Sequence, residues 1–127
     1  MTEPVIYFEG YKIIEYQYKY NSEEVENSDD GLGVQTALTE DFKKGKVTLL
    51  LTYKQQHVDV SMIVVGFFRI REDLNDPQEI TNYLKLNGSA MLYPYLRSAL
   101  SMLTSLDSDK AVLLPTLNMN SLSEQHD

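Results

Sequence analysis

The sequence predicts an α+β fold in which a four-stranded antiparallel sheet carries a short helix and a long helix packed on one face. Four segments with alternating apolar side chains come first along the chain, and two segments with helical periodicity follow them. The longer helical segment has an apolar side too broad for a simple surface helix, so it must pack on another layer. We expect a single domain across residues 1–127, with a core at residues 10–120 and a short polar tail at residues 121–127.

The first predicted strand, residues 11–20, alternates aromatic or branched side chains with charged and polar ones. An isoleucine on its apolar side is best suited to a core. The tyrosines suit either a core or a protein interface, because each joins a large apolar ring to a hydroxyl group. The apolar side consists of Ile14, Tyr16, Tyr18 and Tyr20.

An acidic connection follows, since residues 21–33 hold five carboxylates, two asparagines and two glycines. This composition is typical of a long solvated loop. The run Asp29-Asp30-Gly31 resembles part of a calcium-binding loop, but the alternating ligand spacing and the bidentate glutamate of that loop are missing. A solvated connection is therefore the preferred interpretation.

Three more strands are predicted at residues 34–39, 46–54 and 57–70. Gly45, in the polar turn at residues 41–46, is able to take a positive φ. Within the last strand, residues 63–68 are apolar on both faces, which favours a place in the middle of the sheet, or between a helix and a partner. Gly66 predicts a bulge or a close approach of backbone there.

The short helix is predicted to begin at Asp76, where Asp76-Pro77-Gln78-Glu79 combines an N-cap, a first-turn proline and a capping glutamate. We expect Asn87-Gly88 to end it. The long helix follows, and Pro94 is tolerable there only near the helix start. Residues 112–114 are predicted to form an extended segment that Pro115 limits to a sheet edge. The long helix has its apolar face at Leu92, Leu96, Ala99, Leu103 and Leu106.

Composition excludes several functions. The absence of cysteine removes disulfides, thiolate zinc sites and cysteine nucleophiles, and suits a cytoplasmic protein. A net charge of −8 argues against nucleic acid binding, because phosphates would be repelled. The acidity is compatible with a basic partner, although solubility is the simpler explanation. No secretory signal and no membrane-spanning segment are expected.

We also predict that the protein is not an enzyme and needs no metal or cofactor. It has two histidines, His57 at a strand start and His126 in the tail, and no phosphate-binding loop, nucleophile elbow or paired-histidine metal motif. Its paired acids lie in the solvated connection, where no pocket would shift their pKa values.

Three stretches resemble the SecB-like chaperones of protein export. Residues 59–68, DVSMIVVGFF, are similar to the family's long strand, with a glycine before an aromatic pair. Residues 87–96, NGSAMLYPYL, followed by Arg97, resemble the opening of its main helix. Residues 112–118, VLLPTLN, match the segment after that helix. Together with the strand order, the similarity extends over roughly residues 10–120, although the specific motifs lie mainly in the second half.

The resemblance implies a holdase, which is an ATP-independent chaperone that binds non-native polypeptides in apolar grooves. It further implies a homo-oligomer, either a dimer or a tetramer. The implied groove consists of Leu32, Val34, Leu38, Met91, Tyr95 and Met102. The implied oligomer interface consists of Ile14, Tyr16, Tyr18, Tyr20, Ile80 and Tyr83.

Two departures matter for function. The family's best-known members dock the export motor through a cysteine-bearing zinc tail, whereas this chain has no cysteine and ends in SLSEQHD, so we expect no docking of that kind. The acidic connection would repel many acidic clients. The alternative to a holdase is thus a structural or regulatory protein that binds one dedicated partner. Methionines such as Met62, Met91 and Met102 suit an adaptable binding surface, but each also suits a core. A small-ligand binder has no polar anchoring group to support it.

Overall fold

The structure, a computed structural model, describes residues 4–21, 31–55, 57–106 and 123–124. Four long strands come first, and three joined helical segments follow. The strands are β1 Ile6–Tyr20, β2 Gly31–Leu38, β3 Lys44–Gln55, β4 Val58–Ile70 and the two-residue β5 Ser123–Glu124. The helices are α1 Pro77–Tyr83 and α2 Ser89–Thr104, with a π-helical turn at Leu84–Gly88 between them.

The sheet has the order β1-β4-β3-β2-β5. The four long strands pair antiparallel, and this confirms the predicted α+β class with a four-stranded antiparallel sheet. The predicted polar tail also supplies a strand, because β5 pairs parallel with β2 at Gly33 and Val34. Strand β4 lies between β1 and β3, and its apolar run at residues 63–68 is thus inside the sheet, as the sequence predicts.

Alternation along each strand divides the sheet into an inner face, which packs on the helices, and an outer face, which does not. On β4 the inner face carries Val60, Met62, Val64, Phe68 and Ile70, all buried. These pack with the buried helix residues Leu92, Leu96 and Leu100 in one core cluster. The outer-face residues of β4 are the odd-numbered ones, and they are described below.

Strand β1 begins at Ile6, five residues before the predicted start, and it contains two bulges. The first lies between Phe8 and Gly10, where Gly10 has a φ of +132°. The second lies between Ile13 and Glu15. Because a bulge opposes two residues to one, Ile13 and Tyr16 both pair with inner-face residues, and Ile14 is out of phase with the tyrosines that follow it.

The helices form one continuous rod instead of two separate helices. The predicted N-cap is confirmed, because the Asp76 carboxylate accepts the Gln78 backbone N–H at 3.1 Å. The predicted stop at Asn87-Gly88 is wrong: Gly88 has a helical φ of −63° and lies in the π-helical turn. A Cβ at Gly88 would lie 2.9 Å from Val47 Cγ2, so close packing explains this glycine.

Pro94 consequently lies inside the rod and not near a helix start. Proline has no N–H, so the carbonyl of Ala90 loses its helical partner. Ala90 and Pro94 are both exposed, and water can hydrate that carbonyl.

Gly45 also differs from its prediction. Of the described residues, the left-handed φ in the β2–β3 turn belongs to Phe42, at +59°, and Gly45 lies in β3. A Cβ at Gly45 would lie 2.7 Å from Leu84 Cδ1, so the absence of a side chain at Gly45 allows the helical rod to pack closely on β3.

Several predicted features lie outside the described residues. They are the acidic connection at residues 22–30, the extended segment at residues 112–114 and the tail except for β5. In the described part of the chain, no helix is long and apolar enough to cross a membrane.

Candidate functional site: an apolar surface between a helix and an edge strand

Strand β1 is 15 residues long and lies at one margin of the sheet. Within the described residues it pairs with β4 alone, so its other edge presents unpaired backbone N–H and C=O groups. Long edges of this kind are templates for pairing with another chain, and proteins usually shorten, charge or cover them. An exposed 15-residue edge is therefore a candidate binding feature in its own right.

Helix α2 presents a stripe of exposed apolar side chains next to this edge. Met91, Tyr95 and Met102 are spaced four and seven residues apart, which places them on one helix face. The same helix buries Leu92, Leu96 and Leu100 against the sheet. The stripe is thus separate from the core-facing side of the helix.

Aromatic contacts tie the stripe to β1. The Tyr95 ring stacks on Phe8 at 5.4 Å between centroids, and it lies 4.8 Å from the ring of Tyr11. Phe8 in turn contacts the buried Phe68 at 5.4 Å. Ring pairs at these separations contribute roughly 0.5–1.5 kcal/mol each beyond the area they bury, so they hold the stripe against the strand.

Two close approaches fix the direction of the helix. Gly88 lies against Phe68, and Gly66 lies against Leu92. Helix α2 therefore runs opposite to β4 and in the same direction as β1. The stripe follows the strand, and together they form what we call the helix–edge surface. It consists of Tyr11, Ile13, Met91, Tyr95 and Met102, each between 38% and 68% exposed.

This surface is large enough to matter for binding. Complete burial of one such side chain contributes about 1.5–3 kcal/mol. Because more than a third of each of the five side chains is exposed, a partner that covers them would supply a third or more of that free energy. Methionine adapts its shape to different partners, and tyrosine offers a ring and a hydroxyl at low entropic cost. The geometry suits an extended apolar segment better than a small molecule.

The structure brings together half of the predicted groove. Met91, Tyr95 and Met102 lie in the helix–edge surface, whereas Val34 is a core residue only 1% exposed. Leu32 and Leu38 are half-buried against the core on β2. Since β4 and β3 separate β2 from β1, the β2 residues lie about 14 Å across the sheet from the edge strand. Val34 is therefore not part of the surface.

The predicted interface residues also fall into an exposed group and a buried group. Ile14 and Tyr20 are 58% and 64% exposed on β1, so they remain available to a second chain. Tyr16 and Tyr18 are partly buried against the core. In α1, Ile80 is fully buried and Tyr83 is half-buried against the core, so Ile80 has no free surface to offer.

Tyr11, Ile13 and Phe8 were missed by the sequence analysis as site residues. Residues 6–11 continue the alternating pattern toward the N-terminus and were the available signal. The bulge at Ile14 then moved Ile13 to the inner side of the strand, and alternation alone does not predict that shift.

Two titratable side chains near these elements, Tyr93 and His57, pack within the fold. Burial raises the pKa of Tyr93, and the nearby Arg97 charge partly offsets the effect. His57 places Nδ1 2.9 Å from the Asn21 carbonyl and stacks on Tyr20 at 5.5 Å, so it packs at the end of β1. Among the described residues, no group of three or more histidines and carboxylates is arranged to hold a metal ion.

No protein-family profile matches the chain. An uncharacterised protein of Methanocaldococcus jannaschii is 26% identical over 106 residues. That match covers 84% of this chain and 60% of the archaeal protein, so this chain spans only part of the length of its curated relative.

Two solved structures have a similar fold. A SecB-like chaperone of Mycobacterium tuberculosis, in complex with a ChAD peptide from the HigA1 antitoxin, superimposes with a TM-score of 0.72 at 16% identity, covering 88% of this chain and 90% of that one. A protein of unknown function from Streptococcus agalactiae gives 0.65 at 16% identity, covering 87% and 97%. At such low sequence identity, the structural similarity establishes a SecB-like fold and nothing about function. Function has to be argued from the candidate site.

Proposed function

We propose that this protein is a SecB-like, ATP-independent chaperone that binds non-native polypeptide segments at the helix–edge surface. The observation that carries the proposal is a group of exposed apolar side chains on α2 and β1, in contact at Tyr95 and Tyr11, beside a 15-residue strand edge. Contiguous exposed apolar area is unusual on a protein with no partner and marks an interaction site. The mycobacterial chaperone of similar fold binds a peptide, and that supports a polypeptide as the ligand.

Binding would combine two interactions. An extended client segment adds to the free edge of β1 through backbone hydrogen bonds, which any sequence can supply. Its apolar side chains then pack on Tyr11, Tyr95 and Met102, which tolerate different shapes. Backbone pairing gives affinity without sequence preference, and the apolar surface selects segments that have not folded.

The proposal includes three further parts. The protein acts without catalysis; the described groups with shifted pKa values, Asp41 in a turn and Tyr93 in the core, belong to different parts of the fold. It needs no cofactor. It works in the cytoplasm, which a chain without cysteine suits.

The test is aggregation of a chemically unfolded client protein diluted into buffer without ATP, followed by light scattering. We expect the protein to suppress scattering at near-stoichiometric amounts. The double variant Tyr95→Gln/Met102→Gln should lose most of this suppression, because glutamine keeps helix propensity while it removes the apolar side chains. Leu86→Gln is the matched control, since Leu86 is also exposed and apolar but lies in the π-helical turn.

Two results would contradict the proposal. One is unimpeded aggregation of several clients in the presence of folded protein. The other is an equal loss of suppression in the Leu86 control, which would show that exposed apolar residues act without regard to position. Thermal unfolding of each variant establishes that it is folded.

The dedicated-partner alternative has one observation in its favour. The peptide held by the mycobacterial chaperone comes from an antitoxin, which is a defined protein. Binding of an apolar dye distinguishes the two functions, because a general chaperone keeps its surface accessible when free. A protein that captures one partner in cell extract, binds no dye and protects no client would fit the alternative.

A further inference from the structure

The outer face of the sheet has a composition unlike the rest of the chain. By the strand register, its basic residues are Lys12, Lys19, Lys44, Lys46, Lys54 and Arg69. These are six of the eleven basic residues in the sequence. Among the described residues, the acidic ones there are Glu15, Asp59 and Glu9, the last lying 3.9 Å from Lys44. This face is therefore positive on a protein whose net charge is −8.

An apolar row runs along the middle of this face. Ile63, Val65 and Phe67 follow one another on β4, and Leu50 of β3 lies opposite Ile63. Phe67 is 38% exposed. Register places Lys12 opposite Val65 on one side and Lys46 opposite Phe67 on the other, so lysines flank the row.

A shallow pocket of about 290 Å³ opens beside Phe67. Ala37 and Phe67 supply apolar wall, while Lys44 and Lys46 contribute their stems and amines. On the opposite side of Phe67, a Cβ placed on Gly10 would meet nothing within 4 Å, so open space flanks the ring there too. The remaining residues that line the pocket are Leu38, Thr39 and Gly45.

We propose that the outer face is a docking site for an acidic, extended segment of a partner polypeptide. An apolar side chain of that segment enters the pocket beside Phe67, and its flanking carboxylates pair with Lys46 and Lys12. Charge complementarity carries this assignment, because the positive face is confined to one side of an acidic molecule. Neither Lys12 nor Lys46 has a hydrogen-bond or ion-pair partner within the described residues.

A peptide fits this face better than a nucleic acid does. Single-stranded nucleic acids stack their bases on several aromatic rings. On the outer face, as far as the described residues show it, Phe67 supplies the exposed ring, since Arg69 covers Tyr7 at 4.0 Å from its centroid. The net charge of −8 also repels a long polyanion, whereas a short acidic segment meets mainly the local positive field.

The experiment measures fluorescence anisotropy of a short labelled peptide in which glutamates alternate with leucine and phenylalanine. We expect saturable binding that weakens with salt, and no binding of the same peptide with glutamine in place of glutamate. Lys12→Gln/Lys46→Gln should weaken binding about tenfold, from two ion pairs of roughly 0.7 kcal/mol each. Phe67→Thr should weaken it several-fold.

The matched control is Lys43→Gln/Arg97→Gln, which removes the same charge from the β2–β3 turn and from α2, and should change binding less than twofold. Equal losses in both double variants would overturn the assignment, because net charge alone would then explain binding. A labelled oligonucleotide that binds more tightly than the peptide, with the same lysine dependence, would also overturn it. So would absence of peptide binding. Tyr95→Gln/Met102→Gln should leave peptide binding intact, which separates this site from the helix–edge surface.

Discussion

At the scale of single residues, the β2–β3 turn depends on the Asp41 carboxylate. Its Oδ1 accepts the Thr39 hydroxyl at 2.7 Å and the Lys43 backbone N–H at 3.0 Å. These two hydrogen bonds, the Thr39 one first, lower the pKa of Asp41 from its ordinary value of 3.8. They fix the turn at residues 39–43, in which Phe42 takes a left-handed φ of +59°.

The lowered pKa predicts a dependence of stability on pH. A carboxyl with a lower pKa in the folded state binds fewer protons there than when unfolded, so its stabilisation is present above pH 3.8 and is lost as the pH falls through the folded value. We expect Asp41→Asn to lower the melting temperature near neutral pH, and this difference from wild type to disappear in acid. Differential scanning calorimetry across that range measures it.

Glu40→Gln is the control for this turn. It removes an equal charge one residue earlier and leaves the Asp41 hydrogen bonds in place. If Asp41→Asn and Glu40→Gln shift the melting temperature alike at every pH, loss of surface charge explains both and the role given to the turn is wrong.

At the scale of elements, the helical rod predicts an unusual response at Gly88. Its φ of −63° is helical, and alanine in an ordinary helix position would stabilise by about 1 kcal/mol over glycine. Here the added Cβ would lie 2.9 Å from Val47 Cγ2, and Val47 is fully buried in β3 and has little room to move. We expect Gly88→Ala to lower the free energy of unfolding by about 1–2 kcal/mol, measured by urea denaturation.

Gly31→Ala provides the comparison, because a Cβ there would meet nothing within 4 Å. Its free energy of unfolding should stay within about 0.5 kcal/mol of wild type. A stabilising Gly88→Ala would mean that the rod does not pack on β3 as described.

These elements also show why some of the fold was predictable. Alternation and helical spacing located the four long strands and both helices, because those patterns follow directly from burial of one side. The Asn87-Gly88 stop was wrong because contact with Val47 and Phe68 in the sheet, and not local preference, decides that turn. Likewise, the periodicity of a strand does not predict which other strands lie next to it in the sheet. The sequence analysis therefore grouped Leu32, Val34 and Leu38 with the helix residues, whereas β3 and β4 lie between them and the edge strand β1.

At the scale of the whole molecule, the second bulge divides the long edge of β1 into two parts. Before it, Tyr11 and Ile13 belong to the helix–edge surface. From the bulge onward, Ile14 and Tyr20 are the most exposed apolar residues of the strand, and Tyr20 stacks on His57. One chain can thus pair through the later part of the edge while the earlier part and α2 stay open to a client. This arrangement agrees with the homo-oligomer that the sequence resemblance implies.

We predict a homo-oligomer that Ile14→Lys/Tyr20→Lys converts to a smaller species, because lysine on an edge strand opposes pairing with a second chain. Size-exclusion chromatography with light scattering gives the molar mass of each form, and Leu86→Lys, at an exposed residue of the π-helical turn, should leave it unchanged. A stable interface requires about 1,000 Å² or more of buried surface, which two charged residues in its centre would disrupt. A wild-type protein that is monomeric at high concentration would contradict the oligomer itself, whereas an oligomer that survives both lysines would place its interface on a surface other than this half of β1.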